Sequence, residues 1–258
     1  DETGAIIDRL AAENEKITAI HIDVLPDGRL GKVHALHVAT EQAAGEWLLY
    51  TDADVHFEPN ALVELMQFAQ AHEIDHLAGL PRMKPSGVLL EIAIAAFYTS
   101  SMFFVSAKRV ANVDDPLAVG VGALNLVRAS VLKQTEGFEW LKMETIDDVG
   151  LGLMMKRGGG RAMVARAVEQ ISLEWYQDRT EMAGGLEKNS PGLTKYSLVR
   201  ATGLLAILPV TVFGFVCTFY LPLISLVAVW AATILFPVLF MSTFSRQSSL
   251  SRMSFFLF

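Results

Sequence analysis

Two aspartates stand two residues apart at the end of an apolar run, Trp47-Leu48-Leu49-Tyr50-Thr51-Asp52-Ala53-Asp54. The stretch from Trp47 to Tyr50 reads as a buried strand, because strands covered on both faces are continuously apolar rather than alternating. In open α/β sheets ligands bind outside the carboxyl ends of the strands. Two carboxylates at that edge suit a hard divalent cation, which in turn holds phosphate oxygens. The same acids also suit a solvated polar turn, and a motif this short recurs by chance.

Three further stretches carry usable chemistry. Gly31-Lys32-Val33-His34-Ala35-Leu36 places a glycine and a lysine at a helix start, where free N–H groups and a cation favour an anion. The GxxxxGK[ST] spacing of a P-loop is absent. Glu144-Thr145-Ile146-Asp147-Asp148 puts acids at another helix start. A carboxylate at the mouth of a cleft can take a proton from an attacking hydroxyl. Thr145 as N-cap with Asp148 three residues on is equally a capping-box-like pair, and one residue can serve both ends. Gln170-Ile171-Ser172-Leu173-Glu174-Trp175-Tyr176 ends a strand in polar and aromatic groups that suit a sugar face, or an ordinary surface strand end with one buried ring. Other constellations fail. His34 and His37 have no third ligand, Gly120-Val121-Gly122 lacks the third glycine of a dinucleotide fingerprint, and there is no nucleophile elbow.

The elements that must hold these residues alternate between helix and strand. Helices are expected at Ala5–Asn14, Gly31–Ala44, Pro59–Ala71, Arg128–Gln134, Ile146–Lys156 and Asp178–Asn189, the fifth stopped by Gly158-Gly159-Gly160. Strands are expected at Ile17–Val24, Trp47–Tyr50, Ile74–Leu80, Val119–Val127, Ala162–Ala165 and Val168–Leu173. This order predicts an α/β unit over residues 1–190 with a mostly parallel sheet flanked by helices. The apolar stretch Leu89–Ala107 reads as a buried or surface-lying helix.

Composition adds a membrane. The 258 residues are 52% hydrophobic with a mean hydropathy of +0.37, above an ordinary soluble domain. The excess lies between Leu198 and Met241, where Arg200 is the single charge. That length supplies two transmembrane helices at 197–241, turning near Pro222. Lys195 and Arg200 precede the pair, Arg246 and Arg252 follow it, and the connection is uncharged, so both ends are expected in the cytoplasm. Residues 242–258 then form a cytoplasmic loop and the start of a further apolar segment. The net charge of −7 and the lack of a basic stripe argue against nucleic acid. The single Cys217 fits a reducing compartment.

Taken in order, Gly31 to Leu36, Leu49 to Asp54, Gly120 to Arg128 with Glu136-Gly137-Phe138, Asp147-Asp148 and the terminal hairpin resemble the family 2 glycosyltransferases of GT-A fold, membrane-anchored and lipid-modifying. The resemblance covers residues 1 to about 245 and implies that the chain is cut at both ends. It implies a metal-dependent, inverting transfer of a sugar from a nucleotide-sugar donor, a UDP-sugar, to a lipid or lipid-linked acceptor at a bacterial inner membrane. By it, Asp52 and Asp54 would hold Mn2+ or Mg2+ and the donor diphosphate, Lys32 would face the phosphates, and Asp148 would be the catalytic base with Asp147 beside it. Gln170 and Trp175 would contact the donor as parts of a Gln-x-x-Arg-Trp-like motif, here one residue longer and with Glu174 for the arginine. That departure speaks against the processive polysaccharide synthases of the family. A scaffold that has lost the chemistry is the other alternative.

Overall fold

The computed structural model describes residues 2–84, 105–178 and 180–185, with single positions at 87, 88, 90, 91, 94 and 187. Two compact units divide the chain at residue 182, and the first holds every element described below. The expected hairpin at 197–241 and the segment 242–258 lie outside the described residues, as does most of Leu89–Ala107. Among the described residues no helix is long and apolar enough to cross a membrane.

Helix α1 (Thr3–Glu13) is followed by α2 (Gly31–Gln42), β1 (Trp47–Tyr50), β2 (His56–Phe57), α3 (Ala61–Ala71), β3 (His76–Leu80) and β4 (Arg82–Met83). Helix α4 (Ala107–Ala111), β5 (Asn125–Arg128), α5 (Ala129–Leu132), α6 (Asp147–Arg157), β6 (Ala162–Arg166) and β7 (Ile171–Leu173) complete the unit. The main sheet runs β1-β5-β3-β6, and a smaller one runs β2-β7-β4. Strand β3 is buried along its whole length, as a central strand covered on both faces must be. Helix α3 buries Ala61, Leu65 and Ala69, a stripe spaced by four that packs toward the sheet. Helix α6 starts with Asp147 and Asp148 and ends with Lys156 and Arg157, the charge order that a helix dipole favours.

The structure corrects three expectations. The main sheet is mixed rather than mostly parallel: β5 is antiparallel to both β1 and β3, while β6 is parallel to β3. The expected strand at Ile17–Val24 forms no ladder among the described residues, and Ile17, Ile22 and Val24 are exposed. β-Branched residues favour a pleated surface only where a neighbouring edge supplies hydrogen bonds and packing. Of Val119–Val127, the part up to Leu124 is not a strand. Gly120 and Gly122 there mark close approach of other groups instead of pleat, and a turn closes from Leu124 N–H to the Val121 carbonyl at 2.9 Å.

The reversal of β5 positions the site. Tyr50 pairs with Asn125 and Asn125 with Ala78, so the amino end of β5 lies at the carboxyl ends of β1 and β3. The segment entering β5, residues 119–124, is thereby delivered to the same edge as Asp52.

Candidate active site

At this edge the chain leaves β1 through Thr51 and Asp52. Thr51 Oγ1 donates to the Ala123 carbonyl at 2.9 Å, and Asp52 N–H donates to the Gly122 carbonyl at 3.0 Å. The Gly122 N–H donates in turn to Asp148 Oδ2 at 2.9 Å. From α2, Lys32 Nζ reaches Asp52 Oδ1 at 2.9 Å and Asp147 Oδ2 at 3.3 Å. Four of the seven residues expected at the site, Lys32, Asp52, Asp147 and Asp148, therefore form one connected group. An open cleft of about 480 Å³ borders it, lined by Lys32, Thr51, Asp52 and Ala53 at the polar side and by Ile20, Ile22 and α2 at the apolar side.

Glycines let the segments meet. A Cβ on Gly120 would stand 1.7 Å from the Asp148 carbonyl, and one on Gly152 would stand 2.1 Å from the Val119 carbonyl. A helical glycine such as Gly152 costs roughly 0.5–1 kcal/mol against alanine, which the contact between α6 and residues 119–122 must offset. As a sequence motif, Gly120 and Gly122 are only a failed fingerprint. Their spacing is the available signal, and its meaning is contact with Asp52 and Asp148.

Electrostatics separate the members. Burial pushes the Asp148 carboxyl up to about 6, with the Asp147 charge adding to the rise. The Val149 and Gly122 N–H groups and Lys32 favour its anion and limit that rise. Burial opposes the Lys32 charge, but the hydrogen bond to Asp52 and the field of Asp147 outweigh it and hold its pKa above the ordinary value. A buried-edge carboxylate that binds protons near neutrality, beside a permanently charged lysine, can accept a proton without losing its neighbour's positive charge.

The capping pair expected at this helix is not formed. Ile146 occupies the N-cap position without a side-chain bond, and Thr145 Oγ1 is buried with no partner. Asp148 Oδ1 accepts instead from Val149 N–H at 2.8 Å, because its other oxygen is already drawn to Gly122.

The remaining three residues lie apart from this group. Asp54 is exposed in the turn before β2, and no described residue pairs with its carboxylate. Gln170 precedes β7, and its Nε2 donates to Glu64 of α3 at 2.6 Å. Trp175 is half-buried, stacks on Tyr176 with ring centroids 5.0 Å apart and packs against the apolar cores. For a divalent cation the donor set is of the right kind. Asp52 and Asp54 offer hard oxygens, and among the described residues the carboxylate of Asp54 has no competing partner. Among the described residues no cluster of three or more acidic, histidine or cysteine side chains closes on one point. A cation held by Asp52 and Asp54 would leave room in its shell for phosphate and water, the usual habit of Mg2+ at one or two carboxylates.

Comparison with known proteins agrees with this architecture. Residues 1–189 match the family model for "glycosyltransferase like family 2". A stretch of 79 residues is 40% identical to the glycosyltransferase AglD of Haloferax volcanii, spanning 31% of this chain and 12% of that protein. The mannosyltransferase PcManGT of Pyrobaculum calidifontis, solved with GDP-Man and Mn2+, superposes with a TM-score of 0.52 at 19% identity, over 75% of this chain and 50% of that one. TarS of S. aureus follows with a TM-score of 0.46 at 21% identity, over 67% and 29%. The chain thus spans 12% of the length of the curated relative and half that of the mannosyltransferase structure. The fold is a GT-A-like α/β unit with a mixed sheet, and with a match running from residue 1 to 189 the chain belongs to glycosyltransferase family 2.

Proposed function

We propose that this protein is a membrane-anchored, metal-dependent, inverting glycosyltransferase. It moves a sugar from a nucleotide diphosphate donor to a hydroxyl of a lipid or lipid-linked acceptor at the cytoplasmic face. The observation that carries this reading is the connection Lys32–Asp52–Gly122–Asp148. It joins Lys32, proposed to face the phosphates, and Asp52, proposed to face the metal, to a carboxylate whose pKa of about 6 suits a base.

Lys32, in the first turn of α2, presents its ammonium and the free N–H groups of that helix to the diphosphate. Asp52 and Asp54 would hold Mn2+ or Mg2+, which when bound neutralises charge on the departing diphosphate. PcManGT, solved with GDP-Man and Mn2+, supports a donor of the nucleotide-sugar class, and a UDP-sugar, the donor that the family resemblance implies, is the first to try. Asp148 accepts the proton of the acceptor hydroxyl as its oxygen bonds to the anomeric carbon. The bond from that carbon to the diphosphate oxygen breaks on the opposite side. One displacement with one carboxylate inverts the configuration. The apolar run from Leu198 to Met241 supports anchoring and a lipid acceptor. The tie of Gln170 to Glu64 gives the processive alternative no added support.

A radiolabel transfer assay tests the proposal. Membranes carrying the protein receive a panel of nucleotide sugars, with Mn2+ or Mg2+ present or chelated, and Asp148→Asn as control. Label entering the organic extract, dependent on metal and Asp148, is the expected result. Label confined to a large polymer would move the assignment to polysaccharide synthesis.

A further inference from the structure

Gly122 lies between the two halves of the site. Its carbonyl takes the Asp52 N–H and its N–H gives to the Asp148 carboxylate. Its own missing side chain leaves a definite space. A Cβ built there would meet Asp52 Oδ2 at 2.3 Å, Cγ at 3.2 Å and Oδ1 at 3.5 Å, and these carboxylate atoms are its three nearest neighbours. The Gly122 φ is not in the left-handed region, so an alanine backbone fits without strain. Gly120 differs, because its hydrogens face the Asp148 main chain at 1.7 Å from the Cβ position. Gly122 alone of the two makes its contact with a side chain that can turn.

The segment bearing Gly122 is held from beneath. Asn125 is buried in β5, and its Oδ1 accepts from His76 Nε2 at 3.0 Å and from Val121 N–H at 3.4 Å. The Val121 N–H can only donate, so this Asn125 atom is the oxygen and His76 carries its proton on Nε2. Leu124 N–H to the Val121 carbonyl, and Thr51 to the Ala123 carbonyl, fix the remainder of the turn. Gly122 therefore cannot retreat readily from a larger neighbour, and the Asp52 carboxylate would have to yield.

We propose that Gly122 is a positioning residue: the space it leaves sets the orientation of the Asp52 carboxylate toward Lys32 and the donor. This role rests on the donor-site reading above, but the contact itself does not. Turning the carboxylate would break the 2.9 Å approach of Lys32 to Oδ1 and redirect a metal-facing oxygen.

The test is a double-mutant cycle on the full protein, using Gly122→Ala, Asp52→Ala and both together. Thermal melting and titration with UDP or GDP in the presence of Mn2+ are measured for each. Gly122→Ala is expected to weaken nucleotide binding about tenfold, a coupling of ordinary size for residues in contact. Once Asp52 is replaced by alanine, Gly122→Ala should have no further effect on binding or melting. Should the single variant melt early, the double variant is expected to regain the melting of Asp52→Ala, since the obstructing carboxylate is gone. Additive losses in the double variant would overturn the proposal, because the added methyl group would then act by some other route. Wild type binding neither nucleotide, with the melting cycle still non-additive, would uphold the contact and overturn the donor-site reading together with the positioning role.

Discussion

Asp52 and Asp54 are two residues apart and of one chemical type, yet their surroundings are opposite. Asp52 is bound through its main chain to Gly122 and through its side chain to Lys32, and it faces the Asp147–Asp148 end of α6. Asp54 stands in solvent at the entrance to the smaller sheet, where β7 lies between β2 and β4 and Gln170 is occupied with Glu64. The first region is organised before any ligand arrives. In the second, Gln170 is tied to Glu64 and Arg82 to Glu58, and Asp54 has no partner among the described residues. Preorganised groups lower the barrier without reorganising during reaction, whereas a free carboxylate gains its geometry only from what it binds.

Replacing Asp148 tests the organised side most severely. Asp148→Asn is expected to lower kcat by roughly 10²–10⁴-fold with nucleotide binding intact. Equal turnover in the variant would remove the base assignment. As the proposed base, the same residue should set a pH dependence. A base must be unprotonated, so kcat/KM should fall as pH drops through about 6, where Asp148 gains its proton. An aspartate at its ordinary value would sustain activity to about pH 4. A wild-type acid limb near 4 would contradict the buried environment described for this group.

The open side is probed by Asp54→Ala. Nucleotide affinity in the presence of Mn2+ should drop at least about tenfold, the scale reached by changes around metal ligands. Melting should stay as in wild type, since no described residue pairs with this carboxylate. Unchanged affinity with and without Mn2+ would take Asp54 out of the metal role. Asn125→Leu acts beneath the organised side. It leaves the buried His76 donor and the half-buried Val121 donor unpaired and should destabilise by about 1–3 kcal/mol, read by urea unfolding. Gln170→Ala is the mildest change, removing an exposed bond to Glu64. A loss within about 0.5 kcal/mol and near-normal transfer are expected. A severe loss of transfer would return Gln170 to the donor site.

Much of this was legible in the chain. The apolar run before Asp52, the helix opening at Lys32 and the acids at Asp147 and Asp148 each fell where expected, within about two residues for most elements. Local pattern suffices for such elements because the periodicity of burial is written in neighbouring residues. It misjudged Ile17–Val24 and Val119–Leu124. In both, the outcome depends on which distant segment supplies an edge or a close contact, and propensity carries no record of that.

The sequence by itself determined the residue types at the site, their family and the charge order of α6, since these follow from identity and spacing. Only the tertiary structure decided which of two neighbouring aspartates is held by Lys32 and which has no partner among the described residues. It also decided that β5 runs against β1 and so brings Gly122 between Asp52 and Asp148. Strand direction and the meeting of residues 52, 122 and 148 are fixed by long-range packing. No local window of the chain contains the partners that make those contacts.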